Sequence, residues 1–129
     1  MGKRYLLDSN VVIDYIAGLF PEKAMQWLNN LIDEEINVSI ITKIEVLSYD
    51  PEKDDNYSIL IDFFDTSNML ELTKETVNKT IIIRQKQKIK LPDAIIASTA
   101  LVNGLILVSR NIKDFKVISD LEVVNPYEF

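Results

Sequence analysis

The stretch Arg4-Tyr5-Leu6-Leu7-Asp8-Ser9-Asn10-Val11-Val12-Ile13-Asp14-Tyr15 decides how the chain folds. Its apolar run ends at a carboxylate, which predicts a buried strand that delivers Asp8 to its carboxyl end. Ser9 and Asn10 follow at a point where a helix can begin, so a strand is expected to lead directly into a helix. Three further carboxylates stand in comparable settings downstream. We therefore expect an acidic site assembled around this strand.

Composition limits the size and class of the fold. The 129 residues predict one domain over residues 1–129, and a content of 47% hydrophobic and 26% charged residues is typical of a globular protein. The apolar runs are too short to cross a bilayer, so we expect no membrane span. The amino terminus does not resemble a secretory signal, and the expected compartment is the cytoplasm.

The chain contains neither Cys nor His. Disulfides, Cys/His zinc centres, Ser-His-Asp triads and paired-histidine cleavage of RNA are therefore excluded within it. Hydrolytic chemistry is left with carboxylates and a hard cation, or with Lys, Tyr and Ser acting alone. Twenty acidic residues against fourteen basic ones give a net charge of -6. Any contact with nucleic acid must then be local, because global attraction to phosphates is missing.

Predicted strands alternate with predicted helices along the rest of the chain. Hydrophobic spacing predicts strands at 4–7, 37–41, 69–72, 105–108 and 121–124. The helices are predicted at 10–17, 21–35, 43–48, 57–64, 73–89 and 92–103. No hairpin signal joins neighbouring strands, which favours a parallel α/β sheet covered by helices on both faces. In such sheets, ligands bind beyond the carboxyl ends of the strands.

Four carboxylates carry the candidate chemistry: Asp8, Glu45, Asp93 and Asp114. Three of them follow a predicted strand directly or within one turn, whereas Asp93 lies in the first turn of a helix that begins at Pro92. Four such groups gathered within several ångströms repel one another, and without a cation at least one would take up a proton. The cluster implies a divalent cation, and oxygen ligands suit Mg²⁺ or Mn²⁺. Such an ion activates water, which fits hydrolysis of a phosphodiester without a side-chain nucleophile.

Glu45 has two interpretations. It stands three residues after Thr42, which is a plausible N-cap for the helix at 43–48, and the pair resembles a capping box. It also follows a strand, as Asp8 does, and could belong to the acidic site. Spacing alone favours the cap and leaves the site residue open.

Three surface and core assignments follow from spacing. The segment Arg84-Gln85-Lys86-Gln87-Lys88-Ile89-Lys90 is either a solvated helix end favoured by the helix dipole or a patch that attracts phosphate. In the second case, RNA would be bound by Arg84, Lys86, Lys88 and Lys90. Within the same helix, we expect Val77, Ile81 and either Ile82 or the stem of Arg84 to face the core. Asp14 is interpreted as a solvated surface acid.

Four segments in order resemble the motifs of PIN-domain ribonucleases. They are Asp8-Ser9-Asn10, Thr42-Lys43-Ile44-Glu45, Leu91-Pro92-Asp93-Ala94-Ile95-Ile96-Ala97 and Ser109-Arg110-Asn111-Ile112-Lys113-Asp114-Phe115. The closest type is the VapC toxin of bacterial and archaeal toxin–antitoxin pairs. The resemblance covers the chain from Leu6 to about Val124. Ser109 stands where the family more often has Thr, an exchange that keeps the hydroxyl.

The resemblance implies a fold and a metal site. The fold is a three-layer α/β/α domain whose central parallel sheet has the strand order 3-2-1-4-5. The metal site would hold Mg²⁺ or Mn²⁺ on Asp8, Asp93, Glu45 and Asp114. Asp8 and Asp93 would be the principal ligands, Glu45 a ligand or the base for the attacking water, and Asp114 a ligand or a support for one. Hydrogen bonds would come from Ser9, Asn10, Thr42, Ser109 and Asn111.

The resemblance also implies an activity and partners. The activity is cleavage of RNA to a 5′-phosphate and a 3′-hydroxyl. The implied partners are a second copy of the chain in a homodimer and a small antitoxin protein that covers the acidic pocket.

Two other classes of function compete with this interpretation. A phospho-accepting receiver domain is also a parallel α/β protein that binds Mg²⁺, but it needs paired acids after the first strand and a Lys after the fifth. Here the first strand yields one acid, and the last runs into Asn125-Pro126. A PIN domain that only binds RNA or a protein partner stays open, although the presence of all four acids speaks against it.

Overall fold

The computed structural model describes residues 2–129. Its strands are β1 (Tyr5–Leu7), β2 (Asn37–Ser39), β3 (Asn68–Leu70), β4 (Ile106–Val108) and β5 (Val123–Val124). Its helices are α1 (Ser9–Ile16), α2 (Glu22–Glu34), α3 (Ile40–Leu47), α4 (Tyr57–Asp65), α5 (Lys74–Lys86), α6 (Leu91–Asn103) and α7 (Ile112–Phe115), followed by a 3-10 turn at Pro126–Glu128. Within residues 2–129, no helix is long and apolar enough to cross a membrane.

The five strands form one parallel sheet in the order β3-β2-β1-β4-β5. This confirms both the predicted fold class and the predicted strand order. The register places Leu7 beside Val38 on one side and Val108 on the other, so β1 is the central strand. The stretch from which the site was predicted therefore runs through the middle of the sheet.

Helices cover both faces of the sheet, and successive residues of β1 point to opposite faces. Leu7 packs into one core with buried residues of α1, α2 and α4, such as Leu28 and Phe64. Leu6 packs into a second core with residues of α6 and α7, such as Ile96 and Phe115. The continuous apolar run of β1 is thus buried on both faces.

The chain directions bring Asp93 to the carboxyl edge of the sheet. A helix that precedes a parallel strand runs against that strand, so α6 begins at the edge where β4 ends. Gly104, at φ 65°, ends α6 in the left-handed conformation that returns the chain into β4. The first turn of α6 therefore lies at the same edge as the ends of β1 and β2.

Helix α3 begins three residues earlier than predicted. Ser39 ends β2, and its hydroxyl caps the helix by accepting the backbone N–H of Ile41 at 3.1 Å. Thr42 consequently lies inside α3, fully buried, and the predicted N-cap at this residue is wrong. The capping-box interpretation of Glu45 is wrong for the same reason.

The inward face of α5 is also different from the predicted one. Val77, Ile81 and Ile82 are exposed, with 38%, 50% and 44% of their surface accessible. The buried positions are Thr76, Thr80 and Ile83. Both sets repeat at helical spacing, so periodicity alone could not separate them. Ile83 packs in one core with Ala94, Ala97 and Ala100 of α6. The Thr80 hydroxyl donates to the carbonyl of Thr76 at 2.8 Å.

Candidate active site

Asp8 lies at the end of β1, where three donors hold its buried carboxylate. The backbone N–H of Ser9 donates to Oδ1 at 2.8 Å, and the hydroxyl of Ser109 donates to Oδ2 at 2.7 Å. The amide of Asn10 adds a longer bond to Oδ2 at 3.3 Å. Only 5% of Asp8 is exposed. The orientation of this carboxylate is therefore set by both neighbouring elements, α1 and the loop after β4.

A line of hydrogen bonds connects Asp8 to Asp114. The fully buried hydroxyl of Ser109, which donates to Asp8, accepts the backbone N–H of Asn111 at 2.9 Å. The side-chain amide of Asn111 then donates to Asp114 Oδ2 at 2.7 Å. Because Asp114 is exposed on α7, this bond is what ties its carboxylate to the rest of the site.

Glu45 reaches the site from α3. Its Oε1 accepts the hydroxyl of Ser9 at 2.7 Å, and the same hydroxyl lies 3.4 Å from that of buried Thr42. The Glu45 side chain is otherwise exposed. Ser9, the first residue of α1, therefore joins Glu45 to the helix that Asp8 caps.

Burial and mutual repulsion set the electrostatics of the cluster. The pKa of Asp8 is raised, chiefly by burial and further by the charges of Asp93 and Glu45, although the bonds from Ser109 and Ser9 oppose the rise. The pKa of half-buried Asp93 is raised by burial first, and then by Asp114 and Glu45, while Lys90 lowers it. Each of the four acids thus acts on at least one of the others.

The acids border two adjoining clefts. An open cleft of about 370 Å³, which we name the acidic cleft, is lined by Asp8, Glu45 and Asp93 together with Asn10, Arg110 and Asn111. A second cleft of about 570 Å³, which we name the basic cleft, is lined by Arg84, Lys88, Lys90 and Lys113 together with Asp93 and Asp114. Asp93 belongs to both, so positive charge lies directly beside the acidic site.

The donor chemistry of the cluster fits a hard divalent cation, although the side chains do not yet form a coordination shell. Within residues 2–129, no three acidic side chains lie close enough to hold one ion as they stand. All available ligands are oxygens, as Mg²⁺ and Mn²⁺ prefer. A cation would also relieve the repulsion that raises the pKa values of Asp8 and Asp93.

Two predicted placements at the site need correction or refinement. Lys86 does not line the basic cleft, whereas Lys113, which was not among the predicted basic residues, does.

The interpretation of Asp14 as a solvated surface acid is wrong, because only 6% of the residue is exposed. Its Oδ2 accepts Arg110 Nη1 at 2.8 Å and the Tyr127 hydroxyl at 3.0 Å. These partners are distant in sequence, so no local signal could reveal them.

Known proteins share a family profile and the overall fold with this chain. The sequence profile of the PIN domain matches residues 5–121. The chain is similar to one in a toxin–antitoxin complex from Klebsiella pneumoniae, with 30% identity and a TM-score of 0.76, over 97% of this chain and 99% of that one. It is similar to a chain of VapBC2 from Rickettsia felis, solved with a DNA fragment from their promoter, with 25% identity and a TM-score of 0.72 over 94% and 97%.

A third similar structure is FitAcB from Neisseria gonorrhoeae, with 25% identity and a TM-score of 0.73, over 97% of this chain and 99% of that one. No curated protein matches the chain significantly in sequence. The solved relatives confirm the resemblance to VapC-like PIN domains.

Proposed function

The chain belongs to the PIN-domain family, and on that premise we propose that it is a divalent-metal-dependent ribonuclease, the toxin of a toxin–antitoxin pair. Membership of the family itself indicates a nuclease. The observation that carries the finer proposal is the gathering of Asp8, Glu45 and Asp93 around one cleft at the carboxyl edge of the sheet, with Asp114 tied to them through Asn111.

The residues divide the chemical work as follows. A bound Mg²⁺ or Mn²⁺ would supply an activated water and would neutralise negative charge on the phosphoryl group. Asp8 and Asp93 would hold the ion, because both carboxylates are partly or wholly buried and the charge of Asp93 raises the pKa of Asp8. Glu45 would be a further ligand or would accept a proton from the attacking water, in the orientation that Ser9 imposes. Asp114 would be a ligand or would support one.

The basic cleft provides local positive charge, although the net charge of the whole chain is -6. Its four cations, Arg84, Lys88, Lys90 and Lys113, lie beside Asp93. When the scissile phosphate of an RNA strand lies in the acidic cleft, the neighbouring phosphates of the strand would contact these side chains. The cytoplasm is the proposed location of this activity.

Two protein partners belong to the proposal. Tyr49, 58% exposed, lines the acidic cleft, and Ile44 on the adjoining helix is 56% exposed. A small antitoxin that binds these apolar groups would cover the site. The exposed stripe of α5, formed by Val77, Ile81 and Ile82, would contact a second copy of the chain in a homodimer.

A PIN domain that binds RNA without cleaving it is the second candidate function. It is favoured by one observation, namely that no three acids within residues 2–129 are close enough to hold one ion as they stand. The two candidates differ in a single respect, which is whether the bound strand is cut when metal is added.

The deciding experiment is an RNA cleavage assay with the purified protein. We expect single-stranded RNA to be cut with Mn²⁺ or Mg²⁺ and not with chelator, leaving 5′-phosphate and 3′-hydroxyl ends. Asp8→Asn and Asp93→Asn should each lower the rate by at least about 10-fold, because loss even of a residue that only supports a metal ligand typically costs that much. Asp62→Asn, an exposed acid of α4, is the control.

The possible results separate the candidates. Cleavage that survives both Asp8→Asn and Asp93→Asn would place the active site elsewhere. Tight RNA binding without cleavage over a broad panel of RNAs would identify the protein as a binding module instead.

A further inference from the structure

A partly buried ion pair borders the acidic cleft. Arg110 Nη1 donates to Asp14 Oδ2 at 2.8 Å, and the Tyr127 hydroxyl donates to the same oxygen at 3.0 Å. The Asp14 side chain is only 8% exposed, whereas that of Arg110 is 56% exposed. The acid is therefore enclosed, and the guanidinium group lies at the surface of the cleft.

Arg110 is also fastened to the site through its backbone. Its N–H donates to Asn10 Oδ1 at 3.1 Å, and the amide of Asn10 in turn donates to Asp8 Oδ2. The residues on either side of it, Ser109 and Asn111, bind Asp8 and Asp114. The position of Arg110 relative to the acids is thus set twice, once by the backbone and once by the ion pair.

The acidic cleft contains one cationic side chain among the described residues that line it, and this is Arg110. A phosphodiester that enters a cleft lined by Asp8, Glu45 and Asp93 meets net negative charge, which opposes its binding. The 2.8 Å bond to Asp14 takes one of the five N–H donors of the guanidinium group, and 56% of the Arg110 side chain is exposed. A planar guanidinium group with unused donors is well suited to a phosphate oxygen.

The carboxyl-terminal turn holds this arrangement in place. The ring of Tyr127 packs on that of buried Phe20, with 4.4 Å between the ring centroids. Its hydroxyl therefore reaches Asp14 from a fixed position. A guanidinium group fixed in this way loses less rotational freedom on binding an anion than a freely moving side chain would.

We propose that Arg110 binds a backbone phosphate of RNA in the acidic cleft, and that Asp14 and Tyr127 are positioning residues that hold its guanidinium group there. The inference rests on the proposed ribonuclease function and names a substrate contact within that same site. It goes beyond the charge of the basic cleft, because Arg110 stands on the other side of Asp93, among the acids themselves.

The test measures binding of a short fluorescein-labelled single-stranded RNA by anisotropy, with chelator present to prevent cleavage and over a series of salt concentrations. Arg110→Gln should weaken binding by about tenfold, as expected for loss of a hydrogen bond to a charged group. It should also lower the slope of log affinity against log salt by about 0.7, the value for one phosphate contact on a single strand. Arg110→Lys should keep the slope while losing part of the affinity.

The chain offers a matched control. Arg4 is also 56% exposed and is also paired with an acid, Glu35, at 2.7 Å, but it precedes β1 and so lies at the opposite edge of the sheet. Arg4→Gln removes the same charge and should leave the affinity nearly unchanged. Tyr127→Phe alters no charge, and it should lower the affinity by about two- to threefold with the wild-type slope, because it loosens only the positioning of Arg110.

Several outcomes would overturn the inference. Wild-type affinity and slope in Arg110→Gln would do so, as would an equal loss in Arg4→Gln. An unchanged slope together with weakened Mn²⁺ binding, measured by calorimetry, would make Arg110 a structural residue instead. If Arg110→Gln does not fold, Arg110→Lys and Tyr127→Phe carry the test.

Failure of the proposed ribonuclease function would give a different result from failure of the proposed role of Arg110. A wild-type protein that neither binds nor cleaves RNA contradicts the ribonuclease function itself. A wild-type protein that binds RNA with no dependence on Arg110 contradicts this inference alone.

Discussion

The hydroxyl of Ser109 donates a 2.7 Å hydrogen bond to Asp8 Oδ2, and so joins two residues that lie 101 positions apart in the sequence. The bond crosses between the ends of β1 and β4, which are neighbours in the sheet. It favours the charged form of Asp8, against the burial that raises the pKa of this carboxyl. The buried hydroxyl of Ser109 thus orients the carboxylate of Asp8 and favours its charged form.

Ser109→Ala should therefore weaken both the fold and the site. The variant leaves the backbone N–H of Asn111 and the Asp8 carboxylate each without one partner, at an expected cost of about 1–3 kcal/mol. The pKa of Asp8 should rise further, and Mn²⁺ should bind less tightly. Urea unfolding and calorimetric titration measure the two effects. Ser109→Thr keeps the hydroxyl and should retain Mn²⁺ affinity, whereas equal affinity in wild type and Ser109→Ala would show that the bond does not prepare Asp8.

Without metal, the stability of the protein should depend on the acids in a defined direction. The pKa values of Asp8 and Asp93 are raised in the folded chain above the ordinary value of 3.8. Their contribution to stability is therefore present below pH 3.8 and is lost as the pH rises through the raised values. We expect the difference in Tm between Asp8→Asn and wild type, in chelator, to become more favourable to the variant between pH 4 and pH 7.

Thermal unfolding at the two pH values measures this difference. Glu35, whose pKa is lowered by its bond with Arg4, has the opposite dependence, but it is present in both proteins and cancels in the comparison. Mn²⁺ should reverse the order at pH 7, since it stabilises only the protein that binds it tightly. A Tm difference that stays constant with pH would contradict the raised pKa of Asp8.

The basic cleft predicts which cations bind RNA. Lys88→Gln combined with Lys113→Gln should lower the slope of log affinity against log salt by about 1.4, which corresponds to two phosphate contacts on a single strand. Lys86→Gln removes a charge that does not line the cleft and serves as the control. Anisotropy over a salt series measures the slopes. If Lys86→Gln alone has as large an effect, general charge rather than the cleft attracts the strand.

Asp14 should behave as a buried acid. Asp14→Ala leaves Arg110 and the Tyr127 hydroxyl without their acceptor, so we expect a loss of about 1–3 kcal/mol in the free energy of unfolding. Asp62→Ala, at an exposed position of α4, should change it by no more than about 0.5 kcal/mol. Urea denaturation measures the free energy of unfolding of both variants. Equally small losses in the two would show that Asp14 behaves as a solvated surface acid.

The exposed stripe of α5 should hold the proposed homodimer together. Ile81→Glu places a charge in the middle of this stripe, where a second copy would have to bury it without a partner. We expect light scattering to show a dimer for the wild type and a monomer for the variant, with RNA cleavage products of the same kind. Ile59→Glu, on the exposed side of α4, is the control. A dimer that persists in Ile81→Glu would locate the contact elsewhere.

Much of the fold could be predicted because its signals are local. The apolar run before Asp8, the Pro92 near the start of α6 and the Gly104 after its end each act through their own neighbours in the chain. The alternation of strands and helices then led to a parallel sheet, and the ordered motifs led to its strand order. Errors arose where two nearby residues could each cap a helix. Thr42 was the predicted N-cap of α3, but Ser39 caps this helix instead, and Thr42 lies inside it.

The sequence by itself determined which residues could carry the chemistry. Without Cys or His, the candidates were carboxylates, and the resemblance of four motifs singled out Asp8, Glu45, Asp93 and Asp114. Only the tertiary structure decided how Asp8 is held and that Arg110 pairs with Asp14, because the two bonds join residues 101 and 96 positions apart. Spacing along the chain carries no information on such contacts, since they form only when the ends of β1 and β4 lie side by side.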